Sequence, residues 1–299
     1  MNTACRRAAC AALMLPMLLS GCGVFYIHRK LPVPRAPEVT RNATATQLVE
    51  SLNKHWAALD TLVAKVEIQA SSFKSQQGMA TDYTAIPGNI LMRKPGMLHV
   101  LGRFPVVNTR AFEMVSDGKD FTLWIPTRSK AYKGSNGHKS KKNAANKLES
   151  MRPDFFFDAL VVRGLDADDL YTVTADTVTV EDAKKKHLYA FPEYVLSIMR
   201  KKQGTPELIP ERVVRFHRDD LLPYQQDIYD DDGNLETQVN YAGYADFGNG
   251  KYPSQVTIKR PQEEVQIVLS VEKVTENMAL TDEQFLLKIP ENTEIKKLD

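Results

Sequence analysis

The chain has 299 residues, with 39 Lys and Arg against 37 Asp and Glu, six His and three Cys. That length is enough to bury a sizeable core, and the near-balance of charge argues against a nucleic-acid partner and against broad electrostatic attraction to anionic lipid. Of the cysteines, Cys5 and Cys10 fall in an N-terminal leader; a mature chain keeping only Cys22 forms no internal disulfide and has no spare thiol for catalysis or metal binding.

In chain order, Arg6 and Arg7 supply the positive region of an export signal, and residues 8–19 form an apolar run too short to cross a bilayer as a stable helix. The run ends in Leu19-Ser20-Gly21-Cys22, which resembles the lipobox of bacterial lipoproteins. In that motif the small residues admit a peptidase and the nucleophilic cysteine takes a diacylglyceryl group. The expectation is a signal peptide over 1–21, lipidation of Cys22 and attachment to the membrane through acyl chains, each buried methylene contributing about 0.8 kcal/mol. Losing the leader removes two Arg and no acid, leaving 37 basic and 37 acidic side chains. Gly23 stands where exported lipoproteins kept at the inner membrane carry Asp. The resemblance therefore places the chain in the bacterial cell envelope, at the outer membrane and facing the periplasm.

Residues 22–43 carry Pro32, Pro34 and Pro37 and no usable period, so they read as an extended tether reaching at most roughly 60 Å. A helix opens at Thr44, where Thr44 and Gln47 stand as a capping box; Leu48, Leu52, Trp56 and Leu59, broadened by Val49, form its apolar stripe. His55 has no second ligand at helical spacing.

The period then switches to two. Strands are expected at 61–73, 88–93, 97–103, 109–116, 121–126 and 131–132, and again at 170–175, 187–191, 194–200, 212–217, 225–229, 237–244, 255–259 and 264–271. Turns are expected at Lys94-Pro95-Gly96 and at 117–120. The acidic run Asp230-Asp231-Asp232-Gly233-Asn234 reads as a hairpin turn, since it lacks the alternation and distal Glu of a calcium loop. Many short strands with turns at near-regular spacing predict a mainly β (α+β) domain over 44–299: one strongly curved antiparallel sheet, or half-open β-barrel, covered by short helices.

Two segments interrupt the strands. Residues 133–147 are a lysine-rich polar loop, either plain solvated surface or a contact for phospholipid headgroups or an acidic partner. Residues 153–162 read as a short helix bearing Phe155, Phe156 and Phe157. Three consecutive Phe on one short helix are not expected to share a single core, so at least one of them is assigned to a cavity, a partner or lipid.

These pieces occur in a recognisable order: the amphipathic helix and alternating strand, then 88–96 ending in Arg93-Lys94-Pro95-Gly96, then Val115-Ser116-Asp117-Gly118, the aromatic strand 121–126 closing on Pro126, and Tyr132-Lys133-Gly134. This is similar to the periplasmic lipoprotein carrier family, LolA and its outer-membrane receptor LolB. Leu280, Asp282 and Phe285, followed by Pro290, resemble the family's terminal segment. Residues 154–253 form a longer middle, similar in style to LolA-like lipoproteins of unassigned function. Met97 and His99 stand where the family often has Arg or an aromatic residue.

What the resemblance implies is a half-open barrel around an apolar cavity that receives acyl chains. Alternation nominates Ile90, Met92, Leu98, Val100, Phe112, Met114, Leu123 and Ile125 as its lining. The resemblance also implies an acyl ligand on a lipid or lipoprotein, a periplasmic carrier protein as partner, and an exposed apolar loop tip, for which Phe155–Phe157 are the nominees. No HExxH, His pair at i and i+4, or Gly-x-Ser-x-Gly elbow is present, so no catalytic residue, metal or cofactor is expected. Two functions follow: an outer-membrane-anchored protein binding acyl chains in envelope lipid or lipoprotein sorting, or a non-catalytic structural or regulatory module on the same fold with a filled cavity.

Overall fold

The computed structural model describes residues 39–136, 152–182, 187–202, 204–248 and 250–298. The leader, Cys22, nearly all of the tether and most of the lysine-rich loop lie outside the described residues. The elements in order are α1 (Ala45–Ala58), β1 (Thr61–Lys74), β2 (Met79–Asp82), β3 (Ile86–Arg93), β4 (Met97–Arg103), β5 (Arg110–Asp117), β6 (Asp120–Ile125), β7 (Lys130–Ser135), α2 (Pro153–Leu160), β8 (Leu170–Asp182), β9 (His187–Lys201), β10 (Leu208–His217), β11 (Pro223–Tyr229), β12 (Leu235–Asp246), β13 (Lys251–Arg260), β14 (Val265–Glu276) and β15 (Glu294–Lys297). Thr179–Ala190, the end of β8 and the start of β9, falls outside the body, which is Pro37–Val178 with Phe191–Asp299; its described β8 side chains are exposed.

All strands belong to one unclosed sheet in the order β15-β7-β6-β5-β4-β3-β1-β14-β13-β12-β11-β10-β9-β8, with β2 beside β1. The order is two meanders joined at β1 and β14: β3 to β7 step outward one way, and β8 to β14 return from the other edge. β7, next to the edge strand β15, and β8, at the other edge, are consecutive strands in the chain, and α2 lies between them in sequence.

The period-two reading of the sequence is realised strand by strand. In β1 the even positions Leu62, Ala64, Val66 and Ile68 are buried, at 0–5% exposure, while Lys65, Glu67 and Gln69 face outward. Laid flat, strands about 4.8 Å apart would spread this path over roughly 60 Å. Inner-face residues as far apart in it as Leu123 of β6 and Val214 of β10 nevertheless share one core with Leu48 and Leu52 of α1 and Phe156 of α2. The body's sheet is bent around its helices.

Helix α1 starts as its sequence dictates. The Gln47 amide donates to Thr44 Oγ1 at 3.2 Å and the Thr44 amide donates to Gln47 Oε1 at 2.9 Å, closing the capping box. Trp56 is half-buried, edge-on to Phe157 with ring centroids 6.4 Å apart, and Lys94 Nζ lies 4.4 Å from its ring centre.

Four expectations are corrected. Short β2 was not foreseen because all four of its residues are exposed and leave no period to read. Residues 187–200 form one strand, not two: Pro192 falls just beyond the last β9–β10 pair, Glu193 with His217, so its missing N–H breaks no bond of that ladder. The sheet is not wholly antiparallel, since β15 runs parallel to β7 at one edge. Finally, Phe155, Phe156 and Phe157 do share one core, at 5%, 0% and 9% exposure, while one of them, Phe156, also lines a cavity, as expected. Each finds a different neighbour: Phe155 stacks on Phe156 and lies under Arg260, and Phe157 meets Trp56. The helix has core on several sides because it crosses the inner face.

Candidate functional site

Two apolar cavities meet α2. The first, about 490 Å³, is walled by Ile68 of β1, Ile86 of β3, Phe112 of β5, Leu123 and Ile125 of β6, Ile267 of β14 and Phe156 of α2. Its lining is completed by Ala70, Tyr83, Thr84, Ala111, Thr127, Arg128 and two loop residues, Phe104 and Pro105. The second, about 450 Å³, lies between Leu48 and Leu52 of α1, Leu160 at the end of α2, Phe216 of β10, Tyr241 and Tyr244 of β12, and Tyr252 of β13. Val161 and Val162 continue its apolar wall, and Asn42, Gln47, Ser51, His55 and Lys251 supply polar groups.

Beneath the side chains that wall the first cavity lies a pair of glycines. Gly88 of β3 and Gly102 of β4 are directly opposed in the ladder and sit at inner-face positions. A Cβ on Gly88 would lie 2.6 Å from Ile68 Cδ1, and one on Gly102 would lie 2.6 Å from Phe112 Cε1 and 2.8 Å from Ile86 Cδ1. The walls lean over the bare backbone, which only glycine allows.

The same cavity has an apolar tip at its edge. Beyond Phe104 and Pro105 the β4–β5 loop projects Val106 and Val107, exposed at 94% and 64%. The loop is held short by the Asn108 amide donating to Phe104 O and the Phe104 amide donating to Thr109 O, both at 2.9 Å. Asn108 takes the left-handed conformation that closes it, φ 51°.

The second cavity sits where the described chain enters. The Arg41 amide donates to Arg218 O at 2.5 Å, and Tyr194 Oη accepts from the Ala43 amide at 3.2 Å. Tyr252 donates to Leu160 O at 2.7 Å and Tyr244 to Pro223 O at 2.6 Å. The buried Tyr241 hydroxyl has no partner among the described residues, and burial pushes its pKa well up.

Beneath the end of α2, buried Arg212 donates to Arg163 O at 2.6 Å and Gly164 O at 3.1 Å, and burial lowers its pKa. Gln226 Nε2 donates to Asp158 O at 2.9 Å. Burial also pushes the Asp158 carboxyl up to about 6, with nearby Asp154 adding to the push and Arg163 and Arg212 opposing it.

Of the lining positions nominated by alternation, Phe112, Leu123 and Ile125 come together in the first cavity. Ile90, Met92, Leu98, Val100 and Met114 lie in the packed core at 0% exposure and line neither cavity. Alternation identifies the inner face correctly, but not which stretch of that face a helix covers. Phe155–Phe157 are buried, with Phe156 in the first cavity's wall, so the exposed apolar tip is Val106–Val107 instead. The glycine pair, that tip and the second cavity were missed. For the tip, the adjacent valines between two strand endings were a legible signal.

The motifs that carried the resemblance turn out to be scaffold. Arg93 donates to Leu280 O at 3.0 Å, pairs with Asp282 and lies 5.0 Å from the Phe285 ring centre. The turn after β3 and the terminal segment are therefore one packing unit. In the next turn, Asp117 Oδ1 accepts from the Lys119 and Asp120 amides, both at 2.8 Å, and these bonds hold its pKa low. Gly118 takes φ 97°, and a Cβ on Gly96 would lie 3.2 Å from its Cα, so the two turns pack back to back. The acidic run forms the expected hairpin turn: Asp230 Oδ1 accepts from the Asp232 and Asn234 amides at 2.9 Å. These bonds outweigh burial and hold its carboxyl down at about 2.

On the outer face, His99 donates from Nδ1 to Gln284 O at 2.7 Å and its Nε2 lies 3.0 Å from Glu113 Oε1, while Arg110 reaches Glu113 Oε2 at 3.0 Å. Burial pushes Glu113 up, but the bond to His99 and the charge of Arg110 outweigh it, and the carboxyl lies below its usual range. A second buried carboxylate, Glu193, accepts from Arg215 at 3.0 Å and from Tyr224. Each carboxylate has its cation in place and neither borders a cavity; they read as structural pairs. Among the described residues no group of three or more His, Cys, Asp and Glu could hold a metal ion, and no helix is long and apolar enough to cross a membrane.

No family model matches the chain, and no curated protein matches it. Among solved structures it is similar to a LolA superfamily protein from Nitrosomonas europaea, at 13% identity and TM-score 0.48, covering 82% of this chain and 99% of that one. It is similar to a DUF1329 family protein from Desulfovibrio piger at 13% identity and TM-score 0.49, covering 80% of this chain and 94% of that one. It is also similar to a domain from Vibrio parahaemolyticus described as a candidate outer membrane lipoprotein-sorting protein, at 12% identity and TM-score 0.46, with coverage of 80% and 94%.

Proposed function

We propose that this chain is a lipid-anchored envelope protein that takes acyl chains of lipids or lipoproteins into the first cavity, at the outer membrane and facing the periplasm. The anchor rests on Leu19-Ser20-Gly21-Cys22 alone. The observation that carries the ligand is the continuity of cavity and tip: Phe104 and Pro105 line the cavity, and the next two residues are the exposed Val106 and Val107. A tip dipped into lipid, or pressed against a periplasmic carrier protein, brings acyl chains to the cavity. Burial then supplies about 0.8 kcal/mol for each methylene taken from water.

The test uses full-length protein carrying Cys22→Ser, so that its own acyl chains do not confuse the assay. Organic extraction and mass spectrometry should recover a stoichiometric acyl species from it, and Val106→Ser with Val107→Ser should slow its loading from vesicles. The solid packing of Ile90, Met92, Leu98, Val100 and Met114 favours a second reading, a structural or regulatory module with a filled hollow. A clean blank on extraction, with no uptake of added lipid, selects that reading.

A further inference from the structure

We propose that the ligand of the first cavity is an anionic phospholipid, its acyl part in the cavity and its phosphate on Arg103 and Arg110, in a groove that meets the cavity at one rim of the sheet; this rests on the acyl-binding reading above. At that rim β4 ends at Arg103, β5 begins at Arg110 and β6 ends at Ile125. Arg103, Arg110, Trp124, Pro126 and Thr127 line the groove, and Thr127 lines the cavity as well. The chain serves the two in turn. Arg103 lines the groove and Phe104 and Pro105 the cavity, Arg110 the groove and Ala111 and Phe112 the cavity, Trp124 the groove and Ile125 the cavity. Successive side chains of a strand point to opposite faces, so groove and cavity lie on the two faces of the same strand ends and join where β6 runs out, at Thr127.

The groove is cationic. Among the described residues its lining holds two arginines and no acid. The carboxylate that Arg110 meets at 3.0 Å, Glu113, is buried at 5% exposure and already bonded to His99. The charges of both Arg103 and Arg110 act on Glu113, and one carboxylate against two guanidiniums leaves positive charge over. Arg110 is held 5.7 Å from the Trp124 ring centre, and Arg103 donates to Asn108 O at 3.3 Å, which uses one of its five N–H groups. Arg128, next to Thr127, brings a third guanidinium to the cavity lining. A guanidinium takes a phosphate through two parallel hydrogen bonds. With Val106 and Val107 dipped among acyl chains, arginines on either side of the tip stand at the depth of the headgroups. The diacylglyceryl group of a lipoprotein carries no phosphate and leaves them unmatched, and a zwitterionic headgroup sets its own ammonium against them.

The experiment uses full-length Cys22→Ser protein stripped of lipid and titrated, below the concentrations at which the probes form micelles, with dioctanoylphosphatidylglycerol, dioctanoylphosphatidylethanolamine, dioctanoylglycerol and glycerol phosphate, read by calorimetry and native mass spectrometry. The anionic probe should bind at least about tenfold tighter than the zwitterionic lipid and than dioctanoylglycerol, and the margin should shrink as salt is raised. Glycerol phosphate, which has the charge and no chains, should bind at least about a hundredfold more weakly than the anionic lipid. Arg103→Gln and Arg110→Gln should each bring the ratio of anionic-lipid to dioctanoylglycerol affinity below about threefold. Arg103→Gln carries the test where Arg110→Gln, which also frees Glu113, impairs folding by circular dichroism. Equal affinity of the wild-type protein for the anionic lipid and dioctanoylglycerol overturns the proposal and leaves the acyl-binding reading standing. The proposal falls equally if Arg103→Gln keeps the full ratio, or if glycerol phosphate binds as tightly as the lipid, which means a phosphate site with no link to the cavity. Failure of all three lipids to bind sinks the acyl-binding reading itself.

Discussion

Gly102→Ala places one methyl group under the first cavity. Its Cβ would fall 2.6 Å from Phe112 Cε1 and 2.8 Å from Ile86 Cδ1. Carbon atoms settle at about 3.5–4.0 Å, so the Phe112 ring edge must shift by about 1 Å, and the open space is on the cavity side. Overpacking a solid core costs about 1–3 kcal/mol, and Gly→Ala returns about 0.4–1 kcal/mol through the unfolded chain. With room for the ring to swing, the net loss should stay within about 1 kcal/mol, a fall of roughly 2–4 °C in Tm for a chain of this size. The space removed corresponds to one or two methylenes, which should weaken acyl binding roughly 4- to 15-fold. Gly88→Ala is the contrast, because its Cβ would also lie 3.0 Å from Leu101 O, a backbone atom that cannot swing aside. It should cost more stability. Thermal melts and titration with a short-chain lipid measure both effects. A loss of about 3 kcal/mol or more at Gly102 with unchanged lipid affinity would mean there is no usable space beside Phe112, and the reasoning fails.

Three further outcomes are expected. Arg93→Ala removes a charged hydrogen bond and a cation–π contact and should cost about 2–3 kcal/mol, with residues 277–298 losing hydrogen-exchange protection first, while Asp282→Asn should cost under about 1 kcal/mol because Asp282 is exposed; equal effects would show that the ion pair, not the clamp, is what matters. The Asp158 carboxyl is raised from 3.8 to about 6, so the unfolded chain ionises first and the fold loses stability as pH climbs through that window. Asp158→Asn should therefore match the wild type near pH 4 and exceed it by up to about 3 kcal/mol at pH 7; denaturant titrations showing no pH-dependent gap between the two would refute this. Arg215→Met leaves Glu193 buried at 1% exposure with Tyr224 as its remaining side-chain hydrogen-bond partner among the described residues, and should cost about 3–5 kcal/mol in urea unfolding; a loss below 1 kcal/mol would mean water reaches the carboxylate.

The strands were legible because burial here has a period. Thr61–Lys74 shows this well: its buried and exposed residues alternate through its first half, so the inner face of β1 is written in the sequence. Where no face is buried the sequence is silent, as at Met79–Asp82, and β2 could not be found. The same limit explains β15, an exposed edge strand whose four residues are all solvent-facing. The Phe155–Phe157 helix and a cavity contact for one of its Phe were legible, but the presence of core on several sides of the helix was not. Where a helix lies depends on which strands its connection must join, and that order, with β7 and β8 towards opposite ends, is a property of long-range pairing that no local window contains.

The turn motifs and the cavities are built by different residues. Arg93, Leu280, Asp282 and Phe285 clamp the terminal segment over the β3–β4 turn, and Ser116, Asp117 and Gly118 close the next turn. The hollow lies where the inner face is not covered: two opposed glycines let Ile68, Ile86 and Phe112 lean over bare backbone beneath it, and an α2 only eight residues long touches the two cavities through Phe156 and Leu160 alone. A motif marks residues that are needed, whereas a cavity is made by residues too small or too few to fill a curved surface. The turns of this protein could therefore be read from its sequence, and its empty space had to be read from the fold.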